Sequence, residues 1–382
     1  MKPAIHLRFL VELPEKTRKV PRRAHRIVEG LMALHVSFRS CAALVAWGLL
    51  TFVAHASDTS SSSPSYRLAK TVALGAPDRW DYLYFDPAAK RVYVSHGDRV
   101  TVVDGSTGEI IGSVADLPGS HGMAVATALK RGVADSAKNQ QVTFFDADTL
   151  KPLGTAAAGI DADGIAFDPE TGRAFVANGD GSSVTALDMT LGRFLSTIAL
   201  GGQPEFLIGD GAGHIFVNME STREVVNVDA KTLAVVARYP IPDCESPHGI
   251  AIDRATRRLF TSCINERLVV LDADSGKLLT TLPIGKFSDA AAFDPTRKRV
   301  FSSNGEGTLT VIAENGPNDF TVIDNVPTAK GARTMAVDPD SGRLYVVSAD
   351  IDHVDPPKTP GGRPHAVYKP GTVTLYFYDP AN

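Results

Sequence analysis

One pattern recurs seven times along this chain, and its period leaves little freedom for the fold. The segments "WDYLYFDPAAKRVYVS", "ADGIAFDPETGRAFVA", "PHGIAIDRATRRLFTS", "SDAAAFDPTRKRVFSS" and "RTMAVDPDSGRLYVVS" share one order of parts. A short apolar strand ends in Asp, a turn with Pro, Thr, Ser or Gly follows, and a second apolar strand starts just after Arg. Two weaker copies, "HGMAVATALKRGVAD" and "PEFLIGDGAGHIFVN", fill the gaps, the first with Ala126 in place of the Asp. The anchors are residues 86, 126, 168, 210, 253, 294 and 338, so the step stays between 40 and 44 residues. Most units continue into a third strand closed by Asp ("RVTVVD", "QVTFFD", "SVTALD", "EVVNVD") and then, after a polar turn, into a fourth. Four short strands in a unit of this length make the repeat of a β-propeller blade.

Seven units predict an all-β, seven-bladed propeller of four-stranded blades, a single domain over residues 66–382. The last unit stops one strand short after "TVTLYFYD", while a spare strand, "YRLAKTVAL", begins at Tyr66. This N-terminal strand is expected to complete the seventh blade and close the ring, which removes an open sheet edge. The seventh unit carries a Pro-rich insertion at 349–371, too long for a plain turn and therefore expected to be a functional or capping loop. The repeats, "RVYVSHGDRVTVVD" and "RAFVANGDGSSVTALD" above all, resemble the YVTN-type repeat, and residues 66–380 as a whole resemble the YncE-like seven-bladed propellers. The resemblance implies an exported protein that binds or scaffolds; it implies no particular activity, because propellers host unrelated ones.

The N-terminus agrees with export. Basic residues from Lys16 to Arg26 precede the apolar run "CAALVAWGLLTFVAHA", which ends in Ala54-His55-Ala56 and gives way to the Ser-rich linker 57–65. This order reads as a secretory signal in 1–56 cleaved near Ala56, and the run is shorter than the roughly 20 residues a membrane span needs. Met32 offers a more ordinary start, which makes 1–31 an upstream extension. The expected address is periplasmic or secreted. Residues 1–56 hold nine of the 39 basic and three of the 43 acidic side chains, so the remainder carries 30 against 40. That acidic balance argues against a phosphate backbone as partner. The chain is expected to be a monomer without a membrane span after cleavage.

Of the three cysteines, Cys41 leaves with the signal, and Cys244 and Cys263 remain. Two cysteines in an oxidising compartment are by default a disulfide, and this pair belongs to one blade; a metal held by both thiolates is the alternative.

Stepping back five positions from each anchor gives one residue per blade where the first strand meets the channel: Asp81, His121, Asp163, Glu205, His248, Asp289 and Arg333. All seven are ionisable. They are either the solvated mouth of a channel or a site for a small polar ligand, a cation or a partner protein. The loops between second and third strands open on the same face and add His96, Asn178 and Asn304 as ligand-binding candidates. In the insertion, His353 and Asp355 are the weak metal candidates. No cofactor is required by these residues, although mixed imidazole and carboxylate donors would suit a divalent cation.

Two classes of function stay open. The first is a non-catalytic exported binder or scaffold using the polar mouth and its loops for a small ligand, a cation or another exported protein. The second is a lactonase-like hydrolase with acid/base residues in the mouth, for which His121, Glu205, His248 and Arg333 supply the residue types, the Arg facing a developing oxyanion. The absence of G-x-S-x-G, H-E-x-x-H, Walker and Rossmann patterns favours the binder.

Overall fold

The turns explain the repeat. In the computed structural model, which describes residues 65–357 and 365–381, the Asp ending a first strand accepts hydrogen bonds from the turn that follows it. Asp86 Oδ1 accepts from the Ala88 amide at 3.0 Å, Asp253 Oδ1 from Ala255 at 2.9 Å, and Asp338 Oδ1 from Asp340 at 3.0 Å. The third-strand aspartates Asp104, Asp146, Asp188 and Asp229 do the same for the amides two and three residues on. A short carboxylate that satisfies turn amides makes a tight reversal favourable. Where Ala126 replaces the Asp, a 3-10 turn at Thr127–Leu129 with Lys130 in the left-handed region (φ 49°) reverses the chain instead.

These hairpins build seven four-stranded antiparallel sheets set in a ring. Blades 1 to 6 use consecutive strands over residues 83–114, 123–157, 162–199, 204–240, 247–283 and 288–327. Blade 7 contains Met335–Val337, Leu344–Ser348, Thr374–Pro380 and, outermost, Tyr66–Ala73, which pairs antiparallel with Thr374–Pro380. In blade 6 the missing third-strand Asp gives a longer hairpin, Thr308–Gly316 against Asp319–Pro327. Between the second and third strands of blade 7, Ile351–Asp355 and His365–Tyr368 form a separate two-stranded hairpin. The expected leader, its cleavage near Ala56 and the linker up to residue 64 lie outside the described residues; no described helix is long and apolar enough to cross a membrane.

The core is divided. Seven clusters of buried apolar side chains each lie between two neighbouring blades. One of them joins blade 1 to blade 7 through Phe85, Val92, Tyr345 and Phe377, with the Phe85 and Tyr345 rings stacked at 5.3 Å. In blades 1, 2, 3, 5 and 7 the Arg that opens the second strand reaches a backbone carbonyl in the third-to-fourth-strand turn of the next blade. Arg131 meets Met189 O at 2.7 Å, Arg173 meets Lys231 O at 2.7 Å, Arg258 meets Pro317 O at 2.6 Å, and Arg343 of blade 7 meets Gly105 O of blade 1 at 3.0 Å.

Near the axis the blades touch backbone to backbone. A Cβ on Gly122 would lie 2.3 Å from the Asp163 carbonyl oxygen of blade 3, and one on Gly249 would lie 2.3 Å from the Ala291 nitrogen of blade 6. Neither neighbour can yield without shifting a whole blade. Gly249→Ala is therefore expected to destabilise the chain by about 3 kcal/mol or more. Gly316→Ala, whose added methyl meets nothing within 4 Å, should stay within about 0.5 kcal/mol. Denaturant unfolding of the two variants side by side checks this, and equal stabilities would contradict the close approach.

Candidate functional site

The seven column residues lie on or just before the first strands, and six of them sort into two groups of neighbours. Blades 1, 2 and 3 bring together Asp81, His121 and Asp163; blades 4, 5 and 6 bring together Glu205, His248 and Asp289. In each group one nitrogen or oxygen from every side chain lies within 4.8 Å of the others. Blade 7 adds Arg333, whose Nε is 2.6 Å from Asp289 Oδ2.

The two groups differ in how the histidine is held. In the first, His121 Nδ1 lies 2.7 Å from Asp81 Oδ2 and 3.9 Å from Asp163 Oδ1. Burial pulls the His121 pKa down, but the hydrogen bond and charge of Asp81, with Asp135 and Asp161 behind it, overcome this and lift it to about 9. His121 is thus a cation in an ion pair at neutral pH. In the second group, His248 Nδ1 lies 2.7 Å from the Ser246 carbonyl oxygen. A carbonyl only accepts, so Nδ1 is the donor, and Nε2 turns toward Asp289 Oδ1 at 3.9 Å.

The acids crowd one another. Burial, then the charges of Glu205, Asp81 and Asp135, hold the Asp163 pKa well above the usual carboxylate range, and its Oδ1 has no hydrogen-bond partner among the described residues. Burial lifts Glu205 to about 7, His248 opposing the shift and Asp289 adding to it. The mouth therefore offers donors in His121 and Arg333 beside the carboxyl groups of Asp81, Asp163, Glu205 and Asp289.

Residues outside the column complete the site. Tyr82 of blade 1 reaches across the channel and donates to Glu205 Oε1 of blade 4 at 3.1 Å, with its ring 4.4 Å from that of Phe206. Burial, then the charges of Glu205 and Asp163, push the Tyr82 pKa far up, so it stays a donor. Asp135 lies fully buried beneath His121, and its Oδ1 accepts from the amides of His121 at 2.8 Å and Gly122 at 2.7 Å. Burial lifts its pKa to about 7 against the opposing charge of His121. A signal for both was present. Tyr82 and Phe206 are the two aromatics in a column otherwise made of Gly122, Gly164, Gly249, Ala290 and Thr334. Asp135 is a lone acid where the other second strands carry Ser95, Ala177, Asn218, Ser262, Ser303 and Val347.

Three of the loop candidates lie below the surface. His96, Asn178 and Asn304 are no more than 1% exposed, and their side chains bond to the neighbouring third strand or to the chain leading into the blade. His96 lies 3.0 Å from Thr101 Oγ1 and 3.1 Å from Gly75 O; Asn178 accepts from the Gly159 amide at 2.9 Å and donates to Thr185 Oγ1 at 3.0 Å. Asn304 donates to Thr308 Oγ1 at 3.1 Å and Thr310 Oγ1 at 3.0 Å. These side chains tie second strands to third strands and are closed to a ligand. His353 is exposed on the hairpin, 2.9 Å from Asp352 and 3.5 Å from Asp355. On that hairpin Tyr368 packs edge-on against Trp80 at 4.7 Å and, with Arg79, Asp81 and Arg333, lines a cavity of about 460 Å³ beside the mouth.

Cys244 and Cys263 are joined in a disulfide with Cα atoms 5.2 Å apart. It ties the loop leading to His248 to the end of the second strand of blade 5.

No family model matches the chain, and no curated protein matches it. Solved structures do. Hydrazine synthase of Kuenenia stuttgartiensis is similar with a TM-score of 0.62 at 14% identity, over 75% of this chain and 95% of that one. U3-55K gives 0.68 at 10% identity, over 84% and 100%, and the WD40 repeats of RRP9 give 0.66 at 10% identity, over 82% and 98%. At these identities the likeness shows the fold alone, a seven-bladed propeller.

Two predictions follow from the electrostatics and the clamp. Asp135, Glu205 and His121 all hold their protons more tightly than their ordinary values of 3.8, 4.5 and 6.5. Each therefore contributes stability that is complete below its unfolded pKa and is lost as pH rises through about 7, 7 and 9 respectively. The unfolding midpoint should fall steadily from pH 5 to pH 9 (roughly the span of those shifts). Asp135→Asn keeps the acceptor for both amides and should flatten the lower part of that slope; an unchanged slope would contradict the assignment. Removing the disulfide, which closes a loop of sequence separation 19, should cost about 3 kcal/mol in the chain-entropy account. The Cys244→Ala/Cys263→Ala double variant measures it, and a loss under about 0.5 kcal/mol would show that the clamp is idle.

Proposed function

We propose that this chain is an exported, YncE-like propeller that binds a small polar ligand in its channel mouth and performs no covalent chemistry. The observation carrying this reading is the convergence of seven ionisable side chains from seven blades on one mouth. Solvation alone asks for no such set. Here burial raises the pKa of several acids, a histidine is held charged, and Asp163 keeps an oxygen without a hydrogen-bond partner among the described residues. Buried polar groups left in this condition raise the free energy of the empty site and gain most from a ligand that completes their hydrogen bonds. The neighbouring cavity of about 460 Å³ between Arg333 and the hairpin is of small-molecule size. Export is supported by the basic start, the apolar run ending in Ala54-His55-Ala56, and the disulfide.

A second reading, a lactonase-like hydrolase, is favoured by one observation. Glu205, with a pKa of about 7, can give or take a proton at neutral pH beside His248.

A thermal-shift screen of the purified chain against sugar acids, lactones and other small polar molecules tests both readings. A stabilising molecule is expected, and its shift should disappear in a variant carrying both His121→Ala and His248→Ala. Shifts that survive that variant would remove the mouth from the account. Turnover of a lactone that depends on Glu205 would put the hydrolase in place of the binder.

A further inference from the structure

The two acid–histidine–acid groups read alike in sequence, yet only one is built as a set of metal ligands. In the group from blades 4, 5 and 6, every side chain is steadied from behind. The Ser246 carbonyl oxygen takes the Nδ1 proton of His248 at 2.7 Å. In the neutral ring this leaves the Nε2 lone pair directed into the group, and Nε2 has no hydrogen bond among the described residues although His248 is only 7% exposed. Tyr82 donates to Glu205 Oε1 at 3.1 Å, and Arg333 Nε pairs with Asp289 Oδ2 at 2.6 Å, leaving Asp289 Oδ1 on the side of His248. A ligand imidazole with its other nitrogen on a backbone carbonyl, and ligand carboxylates held by outer donors, are the supports that orient a metal's ligands. The group from blades 1, 2 and 3 lacks this arrangement. There the Nδ1 facing the acids is already bonded to Asp81 at 2.7 Å, so a cation would first have to displace that proton.

We propose that Glu205, His248 and Asp289 form a three-ligand site for a divalent first-row transition ion, Zn²⁺ being the probe of choice, with the remaining coordination positions open to the channel mouth. One imidazole and two carboxylates make a mixed nitrogen and oxygen set, which suits Zn²⁺, Mn²⁺ or Fe²⁺ rather than Cu⁺ or the many-oxygen shell of Ca²⁺. Zinc bonds of about 2.0–2.2 Å place tetrahedral ligand atoms roughly 3.4 Å apart. Donor atoms now within 4.8 Å of one another would draw in by side-chain rotation alone. Two carboxylates neutralise the ion, and the open positions face the part of the mouth where Arg333 stands. A ligand with an anionic oxygen could then bind the ion and the guanidinium together. The inference deepens the mouth-binding reading and rests on it.

The test uses the purified chain, stripped with chelator and given Zn²⁺ alone. Elemental analysis after dialysis should find one zinc per chain, and Co²⁺ in its place should show the visible bands of an ion bound by nitrogen and oxygen. His248→Ala and the isosteric Glu205→Gln should both lose the ion while keeping the wild-type circular dichroism. Tyr82→Phe, which removes an outer support, should weaken binding about 10-fold. His353→Ala, on the exposed hairpin, should retain the ion. The proposal is overturned if the wild-type chain keeps no zinc or if Glu205→Gln keeps it. Loss of the ion only in His353→Ala or only in His121→Ala overturns it as well. Because the ion is assayed by itself, the two readings fail separately. Zinc retained with no response to any small polar molecule keeps this proposal and removes the earlier one; ligand shifts in a chain that never retains metal do the reverse.

Discussion

At two junctions around the axis backbone lies against backbone, and this close approach governs how the mouth is assembled. At Gly122 and Gly249 a single added methyl would meet the main chain of the next blade at 2.3 Å. With that row of positions reduced to glycine, alanine or threonine in five blades, the residue just before it in every blade is forced toward its counterparts. The ionisable column is therefore close-set as a consequence of how the ring closes. Tyr82 and Phe206, the two large side chains in the small row, fill the space across the axis, and Gly164 makes room for Phe206. A site assembled this way inherits the rigidity of the sheets behind it, which is what placing ligand atoms demands.

Several blades are fastened to the next by side chains that reach backbone acceptors. At one end, second-strand arginines reach carbonyls in the neighbouring turn, from Arg131 to Met189 and from Arg343 around to Gly105. At the other, Asn218 donates to the carbonyl of His248 at 2.6 Å, Ser303 donates to that of Arg333, and Ser95 donates to that of Ser120 at 2.6 Å. The second set acts directly on the mouth, because it fixes the main chain at column residues or beside them. In blade 5 the disulfide adds a covalent tie to the same loop. The apolar clusters between blades supply the bulk of cohesion, and these polar ties select the register in which blades meet.

Much of this was legible in the sequence, for a physical reason. The anchor aspartates are visible because a turn amide needs an acceptor at a fixed offset, and strand alternation is visible because burial has a period of two. The column was legible because a repeat places equivalent residues at equivalent points around an axis. What lay beyond the sequence was orientation. His96, Asn178 and Asn304 have the residue types of ligand groups at the ends of the second strands, but threonines in the third strands, such as Thr101, Thr185 and Thr310, capture them. Whether a histidine meets a carboxylate or a carbonyl is set by the path of the loop before it, which the repeat pattern does not record. That difference puts Nδ1 of His121 on Asp81 and leaves Nε2 of His248 facing Asp289 at 3.9 Å.

The charge balance of the mouth bears on why such a site persists. Asp81, Asp163, Glu205, Asp289 and buried Asp135 stand against His121, His248 and Arg333 within one small region. Burial lifts Asp135, Asp163 and Glu205 above the ordinary carboxylate range, so folding works against their ionisation near neutral pH. A fold that needed only a sealed axis could use apolar side chains there, as the seven inter-blade clusters show. Replacing buried ionisable groups by well-packed apolar ones is commonly neutral or stabilising. Placing such a concentration of acid at the axis sets aside that gain, and local departures from the stabilising choice concentrate where a protein binds something. A cation shared by Glu205 and Asp289 would relieve the crowding at its source, since it neutralises the two acids that stand on either side of a histidine already turned to receive it.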